Sequence, residues 1–402
     1  MDLPIRPTGD PEALRKQVRA WLEEHAPAGW HDELATASPA EFRAFNLRMA
    51  ALLRAAGLLT PHWPVRFGGG GFSFGEQIVI QDEMVRADFP QPRLLEITLQ
   101  HVAATLMAHG DAEQQEHLAA MLDGEIWCQG FSEPGAGSDL ASLRTRAVRD
   151  GDVYVLNGQK VWSSYADHAT WCLLLARTDP DAPKHRGISM FMLPLDASGV
   201  ELRPIRQATG TEEFSEIFLT DVRVPASSRV GEENAGWRMA QTTLATERAA
   251  QILELHAHLA VALDVIAAEA TVTRSDPGGV LADDAAFRQE LAARAAEVDV
   301  LGLLGQRLVE DVETSGAIGP DGSIVKLFYS ETLQRLTGLA LRMRGMPATV
   351  DESREFATTW TSGRWFIDHL KSWNWTIAAG SNEIQRNIVG ERVLGLPREP
   401  QP

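Results

Sequence analysis

The spacing of the apolar residues changes twice along this chain, and that constrains the fold more than any single residue. In the first third they recur every three or four positions. Leu14, Val18, Trp21 and Leu22 share one helical face, and Phe42, Phe45, Met49 and Leu52 form a second stripe. Ser38-Pro39-Ala40-Glu41 reads as a capping box with Pro at the first helical position. Ser73 with Glu76, and Asp111 with Gln114, mark two further helix starts. From about residue 126 the period shortens to two. Strands are expected over residues 153–156, 159–162, 171–176, 188–193 and 214–219. Asp150-Gly151-Asp152 reads as a turn, and Asn157-Gly158 predicts a two-residue hairpin between the first two of those strands. After Pro225 the helical period returns over residues 239–270, 283–315, 323–342 and 352–373, as in an antiparallel bundle. The expected class is α+β and multidomain: an N-terminal α-helical domain (1–125), a middle β-barrel or sandwich domain (126–232) and a C-terminal four-helix bundle domain (233–402).

Composition narrows what such a chain can do. Its 402 residues allow two or three domains, and 44% apolar residues support a large core. A formal net charge of −18 opposes general nucleic-acid binding. No window holds the ~18 uninterrupted apolar residues of a membrane span. Cys128 and Cys172 have neither metal-ligand spacing nor a disulfide framework, and no N-terminal signal pattern stands before the first helix. The expectation is a cytoplasmic protein with no metal site and neither nucleic-acid nor membrane partners.

Three stretches carry chemistry. Residues 128–140, CQGFSEPGAGSDL, form a Gly-rich, hydroxyl-bearing loop able to bring N–H and O–H groups close to a flat polar ring or a phosphate. Residues 376–387, TIAAGSNEIQRN, read as a tight turn at Gly380 and a helix start capped by Ser381, with Glu383 in the first turn. In LATER, residues 244–248, Glu247 falls on the helical face of Leu244. A carboxylate on an apolar stripe is costly unless it is paired or used, and a solvated or helix-paired Glu247 stays open.

These stretches resemble the acyl-CoA dehydrogenase family over essentially the whole chain. The carriers are the Ser-Glu-Pro-x-Ala-Gly-Ser-Asp loop, Asn-Gly-x-Lys-x-Trp at residues 157–162, and the C-terminal Gly-Ser-x-Glu-Ile-Gln-Arg segment. The resemblance implies an FAD-dependent enzyme. It would convert an acyl-CoA to the trans-2-enoyl-CoA by α-proton abstraction and β-hydride transfer to flavin N5. It implies flavin contacts from Gln129, Phe131, Ser132, Trp162 and Ser164, with Ser164 near N5. Gly137 and Ser138 would lie by the pyrophosphate and the pantetheine, and Ser381 and Glu383 by the flavin. Ala379 and Gly380 would bind the thioester. In most of the family the residue at Ala379 is a Glu that acts as catalytic base. A branch of the family carries that base in Glu-Arg on the first bundle helix, which here is Glu247-Arg248.

The pattern also departs from the family. Its Gln-x-x-Gly-Gly-x-Gly element is replaced by LRMRGMP at residues 341–347. Its Arg-x-x-Phe-Gly element becomes TRSDPGG at 273–279, where Arg274 would keep a phosphate-pairing role. These losses resemble a branch whose two different subunits form an α2β2 heterotetramer; a homotetramer or homodimer stays open. An electron-transfer flavoprotein or similar acceptor is the implied partner. Two further readings stand beside this one: a flavin-dependent oxidase or monooxygenase on the same fold, and a partner subunit of a heteromeric acyl-CoA dehydrogenase. Trp360, Trp365, Trp373 and Trp375 either pack the last helix or wall a bulky acyl group, and His62, Trp63 and Phe67 would shape the same cleft. His101, His256 and His258 read as surface or satisfied packing residues with no assigned chemistry.

Overall fold

The computed structural model describes residues 4–274, 278–315, 318–346 and 364–398, with the side chains of 242–253 and 255 outside the described set. The chain divides into two units. One comprises residues 1–6, 31–71 and 91–247; the other comprises 7–30, 72–90 and 248–402.

The first third is helical: α1 (Pro11–His25), α2 (Trp30–Ala35), α3 (Pro39–Ala56), α4 (Phe74–Arg86), α5 (Ala103–His109), α6 (Ala112–Gln115) and α7 (His117–Leu122). The three capping boxes form as read, at Ser38 with Glu41, Ser73 with Glu76, and Asp111 with Gln114. A π-helical turn, Ile97–Val102, runs into α5. In the second unit α1 and α4 pack together through charge as well as apolar surface. Buried Glu83 accepts from Arg15 Nη1 at 2.6 Å and from Arg19 Nε at 2.8 Å.

The middle segment supplies β1 (Trp127–Gly130), β2 (Arg146–Asp150), β3 (Val153–Ser164), β4 (Trp171–Arg177), β5 (Ile188–Pro194), β6 (Val200–Ile205), β7 (Phe214–Pro225) and β8 (Arg229–Val230). They join one eight-stranded mixed sheet in the order β6-β7-β3-β2-β4-β5-β8, with β1 parallel to β4. Alternate residues of these strands, among them Tyr154, Leu156, Phe191, Leu193 and Val222, build the core of the sheet. Cys128 and Cys172 face each other across β1 and β4 as buried free thiols.

Asn157-Gly158 is not a turn. The chain reverses at Gly151-Asp152, which joins β2 to β3 with Asp150 opposite Val153. Residues 153–156 and 159–162 belong to one strand that passes through Asn157 and Gly158. At this point the pairing of β3 with β7 shifts register, which makes a bulge. The Asn157 amide exchanges two bonds with Asp221, at 3.0 Å to its carboxylate and 2.9 Å from its N–H. A Cβ on Gly158 would stand 2.5 Å from Thr145 Oγ1, so the glycine permits close backbone approach. The turn propensity of Asn-Gly is here spent on a bulge.

The helical return gives α8 (Gly236–Ala270), α9 (Ala285–Ser315), α10 (Gly322–Arg344), α11 (Trp365–Asn374) and α12 (Asn382–Ile388). The expected helix over 352–373 is described only from Trp365; residues 352–363 lie outside the described set. Leu259, Ile266, Leu301, Leu308, Tyr329 and Leu333 fill the core between the helices of the second unit. Trp365 and Trp375 belong to that core, which settles them as packing residues, while Trp373 is exposed. Trp360 lies outside the described residues.

Candidate active site

In the first unit, β1 leads into the Gly-rich loop, and a buried ion pair shapes it. Lys160, on β3, is fully buried and donates to Glu133 Oε1 at 2.8 Å and to the Phe131 carbonyl at 3.1 Å. The Glu133 carboxylate also accepts the N–H groups of Arg144 at 2.6 Å and Thr145 at 2.8 Å. Burial pushes the Glu133 carboxyl up, but the Lys160 charge and these bonds outweigh it and hold the carboxyl below its usual range. Burial lowers the Lys160 ammonium against the pull of Glu133. Glu133 and Ala136 exchange both backbone bonds across Pro134-Gly135. The loop is thus tied to β3 from inside, and its outer residues, Gly135, Gly137 and Ser138, are exposed.

The same strand then departs from regular pairing. The register of β3 on β7 shifts between Lys160 and Ser163. Trp162 has φ 64° and Tyr165 φ 52°, both left-handed and both costly for residues with a Cβ. The bulge turns Trp162 outward to 57% exposure, with its ring edge-on to Phe214 at 6.0 Å. Val161 N–H bonds the Ser132 carbonyl at 3.0 Å, so bulge and loop are one assembly. Of the residues singled out in the sequence, Gln129 lies on β1, Phe131 and Ser132 in the loop, and Trp162 and half-buried Ser164 at the end of β3. The clamp of Lys160, Glu133 and Thr145 was not foreseen. Its signal was Lys160 at an inward-facing position of the strand period.

In the second unit the C-terminal turn is built on two successive left-handed residues, Ala379 at φ 53° and Gly380 at φ 88°. A left-handed Ala costs about 1–2 kcal/mol, so its surroundings must hold it. Gln385 Nε2 donates to the Ala379 carbonyl at 2.9 Å and to the Gly380 carbonyl at 3.2 Å. Buried Lys326, on α10, donates to the Gly380 carbonyl at 2.8 Å and to Asn382 Oδ1 at 3.1 Å, and Ser330 Oγ adds a bond to Asn382 Oδ1 at 3.1 Å. Ser381 caps α12 as expected, accepting from Ile384 N–H at 3.4 Å. Glu383 is exposed, and its own backbone N–H and Ser381 hold its carboxyl below the usual range. The turn's carbonyls are thus engaged, while nothing among the described residues accepts from Ala379 N–H. The turn also rims a cleft of about 790 Å³ within this unit, with Trp373, Ile377, His369, Arg342 and Arg386 in its lining.

The remaining expected residues are less closely defined. Glu247 belongs to α8, but its side chain, like that of Arg248, lies outside the described set. Arg274 is exposed in an isolated bridge with Val280, and residues 275–277 after it are outside the described set. No group of three or more potential metal-ligating side chains occurs among the described residues. No helix among them is long and apolar enough to cross a membrane.

Three family models cover nearly the whole chain: acyl-CoA dehydrogenase N-terminal domain over 8–125, middle domain over 128–222 and C-terminal domain over 234–394. The protein belongs to the acyl-CoA dehydrogenase family and is an oxidoreductase of that class. Acyl-CoA dehydrogenase IpdE1 of Mycobacterium tuberculosis is 37% identical to it over 401 residues, covering 97% of this chain and 99% of the relative. Acyl-CoA dehydrogenase FadE26 of the same organism is 35% identical over 97% of this chain and 98% of its own. Among solved structures, the ChsE4–ChsE5 complex of M. tuberculosis matches with a TM-score of 0.83 and 34% identity, over 98% of this chain and 100% of the matched one. The Tcur3481–Tcur3483 steroid ACAD matches with the same TM-score of 0.83 at 32% identity, over 99% and 100% of the two chains.

Members of this family are FAD flavoproteins, and features of the first unit fit a flat, polar ring system. Gln129 Nε2 is buried with no hydrogen-bond partner among the described residues. Cβ atoms added to Gly135 and Gly137 would meet nothing within 4 Å, so there is open space at the loop. Trp162 offers an exposed aromatic ring two residues before the half-buried Ser164.

Proposed function

We propose that this acyl-CoA dehydrogenase uses Glu247 as its catalytic base, and that it acts on a bulky, ring-bearing acyl-CoA. The observation that carries the first part is the pairing of Ala379 with Glu247. The position that holds the base in most relatives is an alanine, and a carboxylate stands in Glu-Arg on the first bundle helix. Glu247 removes the α proton of the thioester. Ala379 N–H, left over by the turn that Lys326 and Gln385 hold, donates to the thioester oxygen, where negative charge develops. Gly380 takes the left-handed conformation that lets the turn close under Gln385 and keeps its backbone beside the thioester. Gln129, Phe131, Ser132, Trp162 and Ser164 bind the isoalloxazine, with Ser164 donating near N5. Gly137 and Ser138 lie along the pyrophosphate and pantetheine. Arg274 pairs a phosphate, and Ser381 and Glu383 complete the flavin contacts. Bound FAD supplies the hydride acceptor for the β hydrogen.

The steroid ACAD among the similar structures supports a ring-bearing acyl group, and the ChsE4–ChsE5 complex supports an α2β2 heterotetramer. We extend the proposal to three domains at 1–125, 126–232 and 233–402, to a cytoplasmic setting and to an electron-transfer flavoprotein as acceptor. Anaerobic bleaching of the flavin by a panel of acyl-CoA thioesters tests the chemistry. Glu247→Gln is expected to slow bleaching about 10²–10⁴-fold, the usual contribution of a positioned base. Bleaching at the wild-type rate would remove Glu247 from this role. Flavin content of the chain purified alone, then mixed with a candidate partner subunit, tests the heteromer.

A further inference from the structure

We propose that His101 is a specificity residue that hydrogen-bonds an oxygen carried by the acyl group, so that the preferred substrate is an oxygenated acyl-CoA, bearing a hydroxyl or keto group remote from the thioester. This rests on the acyl-CoA dehydrogenase reading and deepens it.

His101 is 2% exposed, and both ring nitrogens are shut off from solvent with no hydrogen-bond partner among the described residues. A neutral imidazole carries one donor and one acceptor. Burying both without a partner costs free energy that the fold does not return. The groups around it are otherwise well paired. Thr98 Oγ1 accepts from Trp127 N–H at 2.8 Å and donates to the Trp127 carbonyl at 3.3 Å. Trp63 Nε1 donates to the Leu99 carbonyl at 2.8 Å, and Thr105 Oγ1 donates to the His101 carbonyl at 3.1 Å. The imidazole is thus unmet while these neighbours along the chain are bonded.

Its position joins it to the flavin-binding side of the unit. His101 sits in the π-helical turn Ile97–Val102, where Ala103 N–H reaches five residues back to the Thr98 carbonyl. Such widened turns inside helices are rare and recur at functional sites. Thr98 splices this turn onto β1, the strand that feeds the Gly-rich loop. On that strand Gln129 Nε2 is a second buried polar group without a partner. With Gln129 assigned to the flavin ring, the His101 imidazole is the unmet polar group that the cofactor leaves over, and it favours a polar acyl group over a hydrocarbon one.

A site built to hydrogen-bond a substrate oxygen discriminates against the analogue that lacks it far more strongly than an apolar pocket discriminates by size. The test uses the flavin-loaded enzyme, or the assembled complex if a second subunit is required. Straight-chain and ring-bearing acyl-CoAs of increasing length are compared in matched sets that differ only in a methyl, hydroxyl or keto group remote from the thioester. The readout is kcat/KM from anaerobic flavin bleaching. Wild type is expected to favour an oxygenated member over its methyl-bearing partner at least 10-fold at one or more lengths. His101→Leu should erase that ratio while leaving methyl-bearing substrates as good or better, and His101→Gln should keep part of it. Because the ring is unpaired, His101→Leu should also melt no lower than wild type.

A wild-type enzyme with no such preference at any length overturns the proposal. So does a His101→Leu variant that keeps the preference, or one that melts several degrees lower. If methyl-bearing thioesters alone bleach the flavin, only the role of His101 falls. If no thioester of either kind does, the dehydrogenase reading falls and this proposal falls with it.

Discussion

Two turns carry the recognisable motifs of this chain, each pinned by a buried lysine, and the two lysines meet different partners. Lys160 meets a carboxylate, Glu133, which itself gathers two backbone N–H groups of the loop that it shapes. Lys326 meets the Gly380 carbonyl and the Asn382 amide oxygen, both neutral. In the first case a charge pair is sealed inside a sheet. In the second a cation is used as a strong donor that gathers oxygens. The first arrangement tolerates loss badly, because either partner left alone is a buried, uncompensated charge. The two oxygens that Lys326 reaches, a carbonyl and an amide, carry no charge of their own to strand.

The comparison can be broken by substitution. Lys160→Met should cost about 3–5 kcal/mol in urea unfolding, the penalty for leaving a buried carboxylate alone, and should lower flavin occupancy. Adding Glu133→Gln should recover much of that loss; an additive double variant would show that the two residues are not one unit. Lys326→Met should cost less, about 1–3 kcal/mol, the range for an unsatisfied buried acceptor. Its larger effect should be on kcat, because the turn that aims Ala379 N–H loosens. Ala379→Gly should stabilise the fold by about 1 kcal/mol by relieving a left-handed side-chain residue. If it destabilises instead, the turn is not strained.

The smallest expected effect is a pH slope. The Glu133 carboxyl is held below its usual value, so its contribution is complete above that value of 4.5 and fades as pH falls through the lower folded value. Between pH 4.5 and 3, wild type should therefore lose melting temperature faster than the Glu133→Gln variant, and the difference curve isolates this group from other carboxylates.

Much of this architecture was legible in the sequence, because caps and periodicity are local. Ser38 with Glu41 and Ser73 with Glu76 form their boxes from residues three apart, and no distant partner could undo them. Asn157-Gly158 misled because its turn propensity competes with the pairing of β3 on β7, which lies more than fifty residues away in the chain. The residues proposed for the flavin side come from motif resemblance. The lysines that hold both motifs were not foreseen, since a buried Lys reads as a surface residue until its partner is known. His101 was misjudged for the same reason: whether a buried histidine is satisfied depends on contacts that no local pattern encodes.

The strand β6 closes one end of the sheet, and a sheet end is an invitation to another chain. Here the rim refuses it. Pro204 offers no N–H, and Glu201 and Arg203 place an ion pair of 2.8 Å along the same short strand. The Arg203 guanidinium also lies 4.3 Å over the Phe218 ring of β7, covering apolar surface that would otherwise attract a neighbour. Charge and proline on an edge are how sheet proteins avoid adding strands from their own kind. Replacing Arg203 and Pro204 by valine would leave the interior of the sheet untouched, yet make concentrated solutions prone to fibrous aggregation.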